Sequence, residues 1–489
     1  MQPVPSKSTT RVAIIGTGVS GLATLKSLNE AGLDAVAFDR REGVGGLWNF
    51  TPETGHTTPA YPGLSMNTLR HISGFSDFPY PPHENPYPPR DEVLAYIQAY
   101  AGAFDLEPQV YHNTHVQEAV QTTDGRWHLR YHAGVEEHTE TFDALVVCTG
   151  RHGYPNLPDF PDISEFNGQR VHSMSFVDPE VYSGQRVLLI GSGASAADLA
   201  VQISGVARRV TVSVKQGRWI VPRFIRETPV DFMLTRLTQR LPSSVLRLVL
   251  FREFQRELRR LGFRRGGREY GLPAPRFDLR AIRLTLNTEF LLAAQQGRIA
   301  IKPEIATFTP TGVRFVDGSL EMLDTVISAT GYRVQFPFLP HLNLQTSIQD
   351  FDLYQYVFPP EVENLAFVGM MNVQGPFLPV YEMQARWVAA VLSGSCDLPS
   401  SSQMRRSVDQ RQEYLRETRK RPAIVPYFDY METLAEFIGV RPRLWRHPDL
   451  WRELWLQPLT STQYRLDGPY SWLGAREALK RFRMNPHAG

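Results

Sequence analysis

RVAIIGTGVSG, Arg11 to Gly21, decides the fold. Arg11 to Ile15 is a short apolar run with β-branched side chains, the pattern of a buried strand. It runs straight into Gly16-Thr17-Gly18-Val19-Ser20-Gly21. The following LATLKSLNEAG carries Leu22, Leu25 and Leu28 at helical spacing, with Gly32 as the stop. A second strand, Asp34 to Phe38, ends in Asp39. The three glycines have different physical roles. Gly16 permits the tight turn, Gly18 lets the backbone approach a pyrophosphate, and Gly21 lets the helix pack close to the strand. The helix N-terminus offers unpaired N–H groups and positive potential to the anion. Asp39, 18 residues after Gly21, is placed to accept hydrogen bonds from a ribose diol.

The same grammar recurs. Arg186 to Ile190 is a buried strand, and Gly191-Ser192-Gly193-Ala194-Ser195-Ala196 follows with a helix behind it. Ala196 stands where the third glycine would, a variant the motif permits. The next strand, Arg209 to Val214, ends without an acid and runs into Lys215-Gln216-Gly217-Arg218. A carboxylate there suits a free 2′-hydroxyl, whereas cations suit a 2′-phosphate. The second loop is therefore expected to prefer NADPH over NADH through Lys215 and Arg218, with Gly191, Ser192, Gly193 and Ser195 lining it.

Composition sets the outer bounds. At 489 residues the chain exceeds one ordinary domain, and the length implies roughly two to four. Apolar content of 42% and charged content of 21% are those of a soluble globular protein. A net charge of +2 argues against a general nucleic-acid binder. Cys148 and Cys396 are the only cysteines, which excludes a disulfide framework, a thiolate zinc cluster and a CxxC redox pair. The polar start MQPVPSKSTT carries no signal-peptide core, and no stretch reaches the ~20 apolar residues of a spanning helix. A cytoplasmic location is expected.

Between the two loops lies Phe166–Phe176, FNGQRVHSMSF. It reads F-x-G-x-x-x-H-x-x-x-F and resembles the fingerprint of the flavin-containing monooxygenases. The resemblance runs from Arg11 to about Arg481 and is nearest to the animal, N-oxide-forming dimethylaniline type. It implies an α/β fold with two dinucleotide-binding, Rossmann-like domains, the NADPH domain inserted into a discontinuous FAD domain. The boundaries read as 1–175 for the first part of the FAD domain, 176–328 for the NADPH domain, and 329–489 for the second part with closing helices.

The resemblance also carries roles. Gly46, Leu47 and Trp48, in GVGGLW, are expected along the FAD. Asn67, in YPGLSMNTLRHISGFSDFPYPP, falls on the family's active-site asparagine, and an amide can hold a flavin peroxide by hydrogen bonds without titrating. Thr149, after the strand Ala144 to Cys148, and Thr330-Gly331, after Asp324 to Ala329, match two "TG" segments that end the nucleotide folds. Gln374 is expected near the isoalloxazine, while Gln384, Arg386 and Trp387 on the following helix suit packing. His172 is expected to hydrogen bond in the linker rather than to act as a general acid. The Baeyer–Villiger fingerprint has Trp at position 176, followed by Pro or Asp; Phe176-Val177 is closer to N- and S-oxidising enzymes.

The implied activity is NADPH- and oxygen-dependent oxygenation of a small amine or thioether through a C4a-hydroperoxyflavin, with dioxygen as co-substrate. Baeyer–Villiger oxygenation of ketones is the alternative. A disulfide reductase is disfavoured by the missing cysteine pair, and a nucleotide-bound scaffold by the two intact loops. A homodimer is compatible with the sequence. The stretch at about 225–285 is an insertion, and Arg236 to Arg268 holds ten arginines against Glu253 and Glu257. Leu250, Phe254, Leu258 and Leu261 recur there at helical spacing, which fits either a packing helix or peripheral contact with an anionic membrane surface.

Overall fold

The computed structural model describes residues 10–52, 58–81, 83, 85–274, 284–342, 352–417 and 424–481. The chain divides into two compact units. One comprises residues 1–49, 68–153 and 333–489, and the other residues 50–67 and 154–332.

Each unit is built on a five-stranded parallel sheet, and the two sheets share one plan. In the first, Arg11–Ile15 lies at the centre between Asp34–Phe38 and Ala144–Val147, with Val110–Tyr111 and Leu365–Phe367 outside them. In the second, Arg186–Ile190 lies between Arg209–Ser213 and Thr325–Ser328, with Ile299–Lys302 and Gln169–His172 outside. In both central strands the four residues after the leading arginine are buried, as near-continuous apolar runs are when a parallel sheet is covered on both faces. In each unit the glycine loop leaves the carboxyl end of the central strand, where open parallel sheets bind their ligands.

A hairpin is formed by Thr114–Gln121 and Trp127–Ala133, with Gly125 at φ +82° in its turn. A third strand, Glu136–Phe142, joins it. Trp127, Leu129 and Phe142 pack with Ile15, Phe38 and Val147 of the first sheet to form one core.

The unit boundaries differ from those expected at 175 and 328. Gln169–His172 pairs with Thr325–Ser328 as an edge of the second sheet, in the register His172↔Ser328. The fingerprint is thus part of the second unit's framework. Residues 50–67 also belong there, because Tyr61 is buried against Phe176 and its hydroxyl donates to Asp198 at 2.8 Å.

In the first unit the closing helix Phe377–Leu392 packs along Val19–Glu30. Their junction encloses a buried ionic cluster. Arg465 donates to Ser76 Oγ at 2.7 Å and pairs with Asp77 at 2.9 Å, Glu382 at 3.2 Å and Glu30 at 3.3 Å. Glu382 accepts from the Ser76 N–H at 2.7 Å, and Lys26 pairs with Glu30 at 2.6 Å and with Asp77. Burial alone lowers the proton affinity of Arg465, but Glu382, Asp77 and Glu30 outweigh it and raise it overall. Removing one partner of such a buried cluster costs about 3–5 kcal/mol, because the other charge is left uncompensated. Gln384, Arg386 and Trp387 are buried on the same helix and serve packing, as expected. Gln384 Oε1 accepts from the Gly369 N–H at 2.9 Å, and the Arg386 guanidinium donates to the Tyr464 carbonyl at 3.2 Å.

The basic insertion forms the helix Ser243–Arg260. Leu258 is buried in the core of the second unit, while Val245, Leu248 and Val249 are exposed. Among the described residues no helix is long and apolar enough to cross a membrane.

Candidate functional site

The first loop is shaped by backbone meeting backbone. Gly16 sits at φ +102°, and a Cβ there would stand 2.6 Å from the Cys148 carbonyl oxygen. A Cβ on Gly21 would stand 1.8 Å from the Gly16 oxygen. On the far side, a Cβ on Gly46 would lie 2.7 Å from the Cα of Gly18. The Gly45 N–H donates to the Thr17 carbonyl at 3.1 Å, so the GVGGLW turn is stitched onto the dinucleotide loop. Arg41 Nη1 donates to the Gly46 carbonyl at 3.1 Å and braces that turn. Leu47 and Trp48 complete it, half-buried.

Asp39 reaches back to the same loop. Its Oδ2 accepts from the Thr17 N–H at 2.7 Å and the Thr17 hydroxyl at 2.8 Å, and its Oδ1 accepts from the Arg41 N–H at 3.0 Å. The helix Val19–Glu30 begins at Gly18 without a side-chain cap or an acid in its first turn. A glycine-lined backbone, an uncapped helix N-terminus and a half-buried carboxylate fit the pyrophosphate and ribose of FAD. Thr149 lies exposed beside the Gly16 turn, and Gln374 lies exposed on the short strand Asn372–Gln374. The Cys148 thiol is pushed up to about 12 by burial, which makes it inert.

The second loop repeats the geometry with different chemistry. Gly191, at φ +140°, would place a Cβ 2.5 Å from the Ala329 oxygen, and the helix Ala194–Ile203 begins uncapped at Gly193. A Cβ on Gly193 meets nothing within 4 Å, which leaves room for a ligand. Ser192 Oγ donates to the Gln216 carbonyl at 3.2 Å, and Ser195 lies half-buried in the first helical turn. Arg218 lines a small pocket with Gly191 and Ser192. Lys215 is exposed and pairs with Glu304 at 2.5 Å, so an incoming phosphate would compete with that carboxylate. No acid follows Ser213 at the place Asp39 holds in the first unit. The uncapped helix and the two cations fit a phosphorylated dinucleotide, NADPH.

His172, Thr330 and Gly331 form one latch. His172 Nε2 donates to the Gly331 carbonyl at 3.0 Å, while its Nδ1 accepts from the Met174 N–H at 3.1 Å. The Thr330 hydroxyl donates to the Asn156 carbonyl at 2.5 Å, and the Asn156 N–H donates to the Gly331 carbonyl at 3.0 Å. Both ring nitrogens are occupied in the neutral form, and burial lowers the imidazole below its usual range against the Gly331 bond. His172 is a clasp rather than a proton donor.

Asn67 is exposed in the second unit. Its Oδ1 accepts from Arg223 Nη2 at 3.4 Å, and Arg223 Nε donates to the Leu286 carbonyl at 3.3 Å. Nearby, Asp198 Oδ2 accepts from Tyr61, and its Oδ1 accepts from Asn287 Nδ2 at 2.5 Å. Burial pushes the Asp198 carboxyl up, against those two hydrogen bonds and the pull of Arg223. Sequence reading missed Arg223, since an isolated arginine in a loop carries no periodic signal.

With two dinucleotide cradles in hand, comparison with known proteins is decisive. A model of the flavin-binding monooxygenase-like family matches residues 9–483. The chain belongs to this family.

Human (Homo sapiens) flavin-containing monooxygenase 5 is 35% identical, with 96% of this chain and 91% of that protein covered. The N-oxide-forming dimethylaniline monooxygenase 2 of Oryctolagus cuniculus is 34% identical over the same shares, 96% and 91%. Among solved structures, S-allyl-L-cysteine S-oxygenase from Allium sativum matches with a TM-score of 0.69 at 24% identity, covering 97% of this chain and 99% of that one. Cyclohexanone monooxygenase in its open form matches with a TM-score of 0.63 at 18% identity, covering 88% and 98%. These two share the fold. The protein is thus an FAD- and NADPH-dependent flavin monooxygenase that acts on a small molecule with dioxygen.

The His172 clasp of this monooxygenase has a pH signature. An imidazole kept neutral by folding stabilises the protein above its unfolded-state value of about 6.5, and that contribution is lost as pH falls below it. His172→Gln is expected to lower Tm more at about pH 8 than at about pH 5.5. A Tm difference from wild type that stays constant across that range would remove the neutral imidazole from the latch.

Proposed function

We propose that this monooxygenase oxygenates soft nucleophilic nitrogen or sulfur centres, in amines and thioethers. Asn67 carries the reading. Its Oδ1 is taken by Arg223, which leaves the Nδ2 hydrogens as donors. An amide donor holds an electrophilic oxygen by hydrogen bonding and has no proton to give up at neutral pH. A neutral oxidant is what a soft lone pair attacks. Phe176, where the ketone-oxygenating fingerprint has Trp, is buried between Tyr61 and Tyr182 and supports the same reading. So do the names of two relatives, one N-oxide-forming and one an S-oxygenase.

When bound, FAD supplies the dioxygen chemistry and NADPH the hydride. The chain's own residues bind and orient. Gly16, Gly18 and Gly46 would let the protein backbone approach the FAD pyrophosphate, and Asp39 would accept from its ribose. Gly191, Gly193 and Ser195 receive the second pyrophosphate, with Lys215 and Arg218 on the 2′-phosphate. Thr149, Thr330, Gly331 and Gln374 complete the two cradles.

A second reading, oxygenation of ketones, is favoured by one observation. The Arg223 guanidinium beside Asn67 would stabilise an anionic oxidant over a neutral one. Product analysis separates the two: thioethers and tertiary amines are expected to yield S-oxides and N-oxides, and ketone-to-ester turnover in their place would overturn the proposal.

Asn67→Ala is expected to raise the hydrogen peroxide released per NADPH consumed; unchanged coupling would withdraw Asn67 from the role. Replacing Lys215 and Arg218 together by alanine is expected to weaken NADPH at least about tenfold more than NADH, the scale of one lost charge-assisted contact. Equal losses for the two nucleotides would take both residues off the phosphate.

A further inference from the structure

Arg151 follows Thr149-Gly150 at the carboxyl end of Ala144–Val147. That strand is the parallel neighbour of Arg11–Ile15, with Val147 opposite Ile15. Arg151 therefore leaves the sheet on the edge that carries the Gly16–Gly21 loop. Its Nη2 donates to Asn372 Oδ1 at 3.1 Å, and its guanidinium carbon lies 5.5 Å from the centre of the Phe377 ring. Its Nε and Nη1 are buried and have no hydrogen-bond partner among the described residues. No carboxylate among those residues pairs with it. Leaving two buried donors of a charged group unmade is costly, and burial accordingly lowers the proton affinity of this guanidinium.

A second feature points into the same place. Phe377 is the first residue of the 16-residue closing helix, which starts at Pro376 with no side-chain cap and no acid in its first turn. Such an N-terminus presents unpaired N–H groups and positive potential. Tyr381, one turn further, cannot serve as the counter-ion, since burial raises its hydroxyl above the usual range and keeps it neutral. A cation with two unpaired, buried donors thus lies against the first residue of an uncapped helix, in the unit and on the sheet edge of the FAD cradle, and an anion is the missing partner.

We propose that Arg151, together with the first turn of the closing helix, binds an anionic group of the bound FAD. Two parts of that cofactor offer the required chemistry: its pyrophosphate, and the ring system that gains negative charge on reduction. The inference rests on the cofactor and not on the substrate class, so it stands or falls separately from amine and thioether oxygenation.

Arg151→Gln and Arg151→Lys, prepared as holoenzymes, test it through FAD affinity and flavin midpoint potential. If the pyrophosphate is the ligand, Arg151→Gln weakens FAD at least about tenfold in both redox states and leaves the potential in place. If the reduced ring is the ligand, oxidised FAD binds as before and the potential falls by about 30 mV, the equivalent of a tenfold change for a two-electron couple. In either case Arg151→Lys retains part of the effect, because it keeps the charge and loses the fork. Wild-type affinity and potential in Arg151→Gln would overturn the proposal. So would a loss of affinity matched by an equal loss of thermal stability in the apoprotein, which would mark a purely structural role.

Discussion

There is no room for a side-chain atom between the first strand and the helix that follows it. A Cβ on Gly21 would meet the Gly16 oxygen at 1.8 Å, and one on Gly16 would meet Cys148 at 2.6 Å. Strand, turn, helix and returning strand are therefore held at backbone contact. That contact fixes where the helix begins, and so where its unpaired N–H groups point. The second unit relaxes the constraint by one methyl group: Ala196 replaces the third glycine and stands 3.7 Å from the Cβ position of Gly191. Both units thus place a helix N-terminus at the carboxyl edge of a parallel sheet, and the surrounding charge tells the two sites apart.

That charge differs between the two units. At the end of its second strand the first unit has a carboxylate, Asp39, already oriented by Thr17 and Arg41. The second unit has Lys215 and Arg218 in the corresponding turn. The frames behind them differ as well. The first unit is braced from within by the buried cluster around Arg465, which joins its C-terminal segment to the turn bridged by Phe75 and Phe78 and to both packed helices. The second unit is clasped by neutral His172, whose two nitrogens join the fingerprint strand to Gly331 and Met174. The fingerprint histidine therefore contributes through position, with no proton to move.

Much of this was legible in the sequence because the decisive signals are local. Each glycine loop announces its strand, turn and helix within about thirty residues. What escaped was non-local. The assignment of residues 50–67 to the second unit depends on Tyr61 meeting Asp198, 137 positions away. The Lys215 partner, Glu304, is 89 positions distant. The strand EEHTETF, Glu136–Phe142, lacks apolar alternation and is held by its neighbour's register instead. Arg223 and Arg151 carry no pattern at all. Each becomes informative only once its surroundings show what faces it.

The division between the two cradles is tested most directly by Gly193→Glu. The site has open space for a side chain at φ −79°, so the change adds a carboxylate to the second loop without a clash. The variant is predicted to purify with its full flavin spectrum and to be bleached by dithionite as before. Its reduction by NADPH should be slowed at least about 100-fold, since like charges in contact cost several kcal/mol. Loss of the flavin, or reduction by NADPH at the wild-type rate, would contradict the assignment of FAD to the first loop and NADPH to the second.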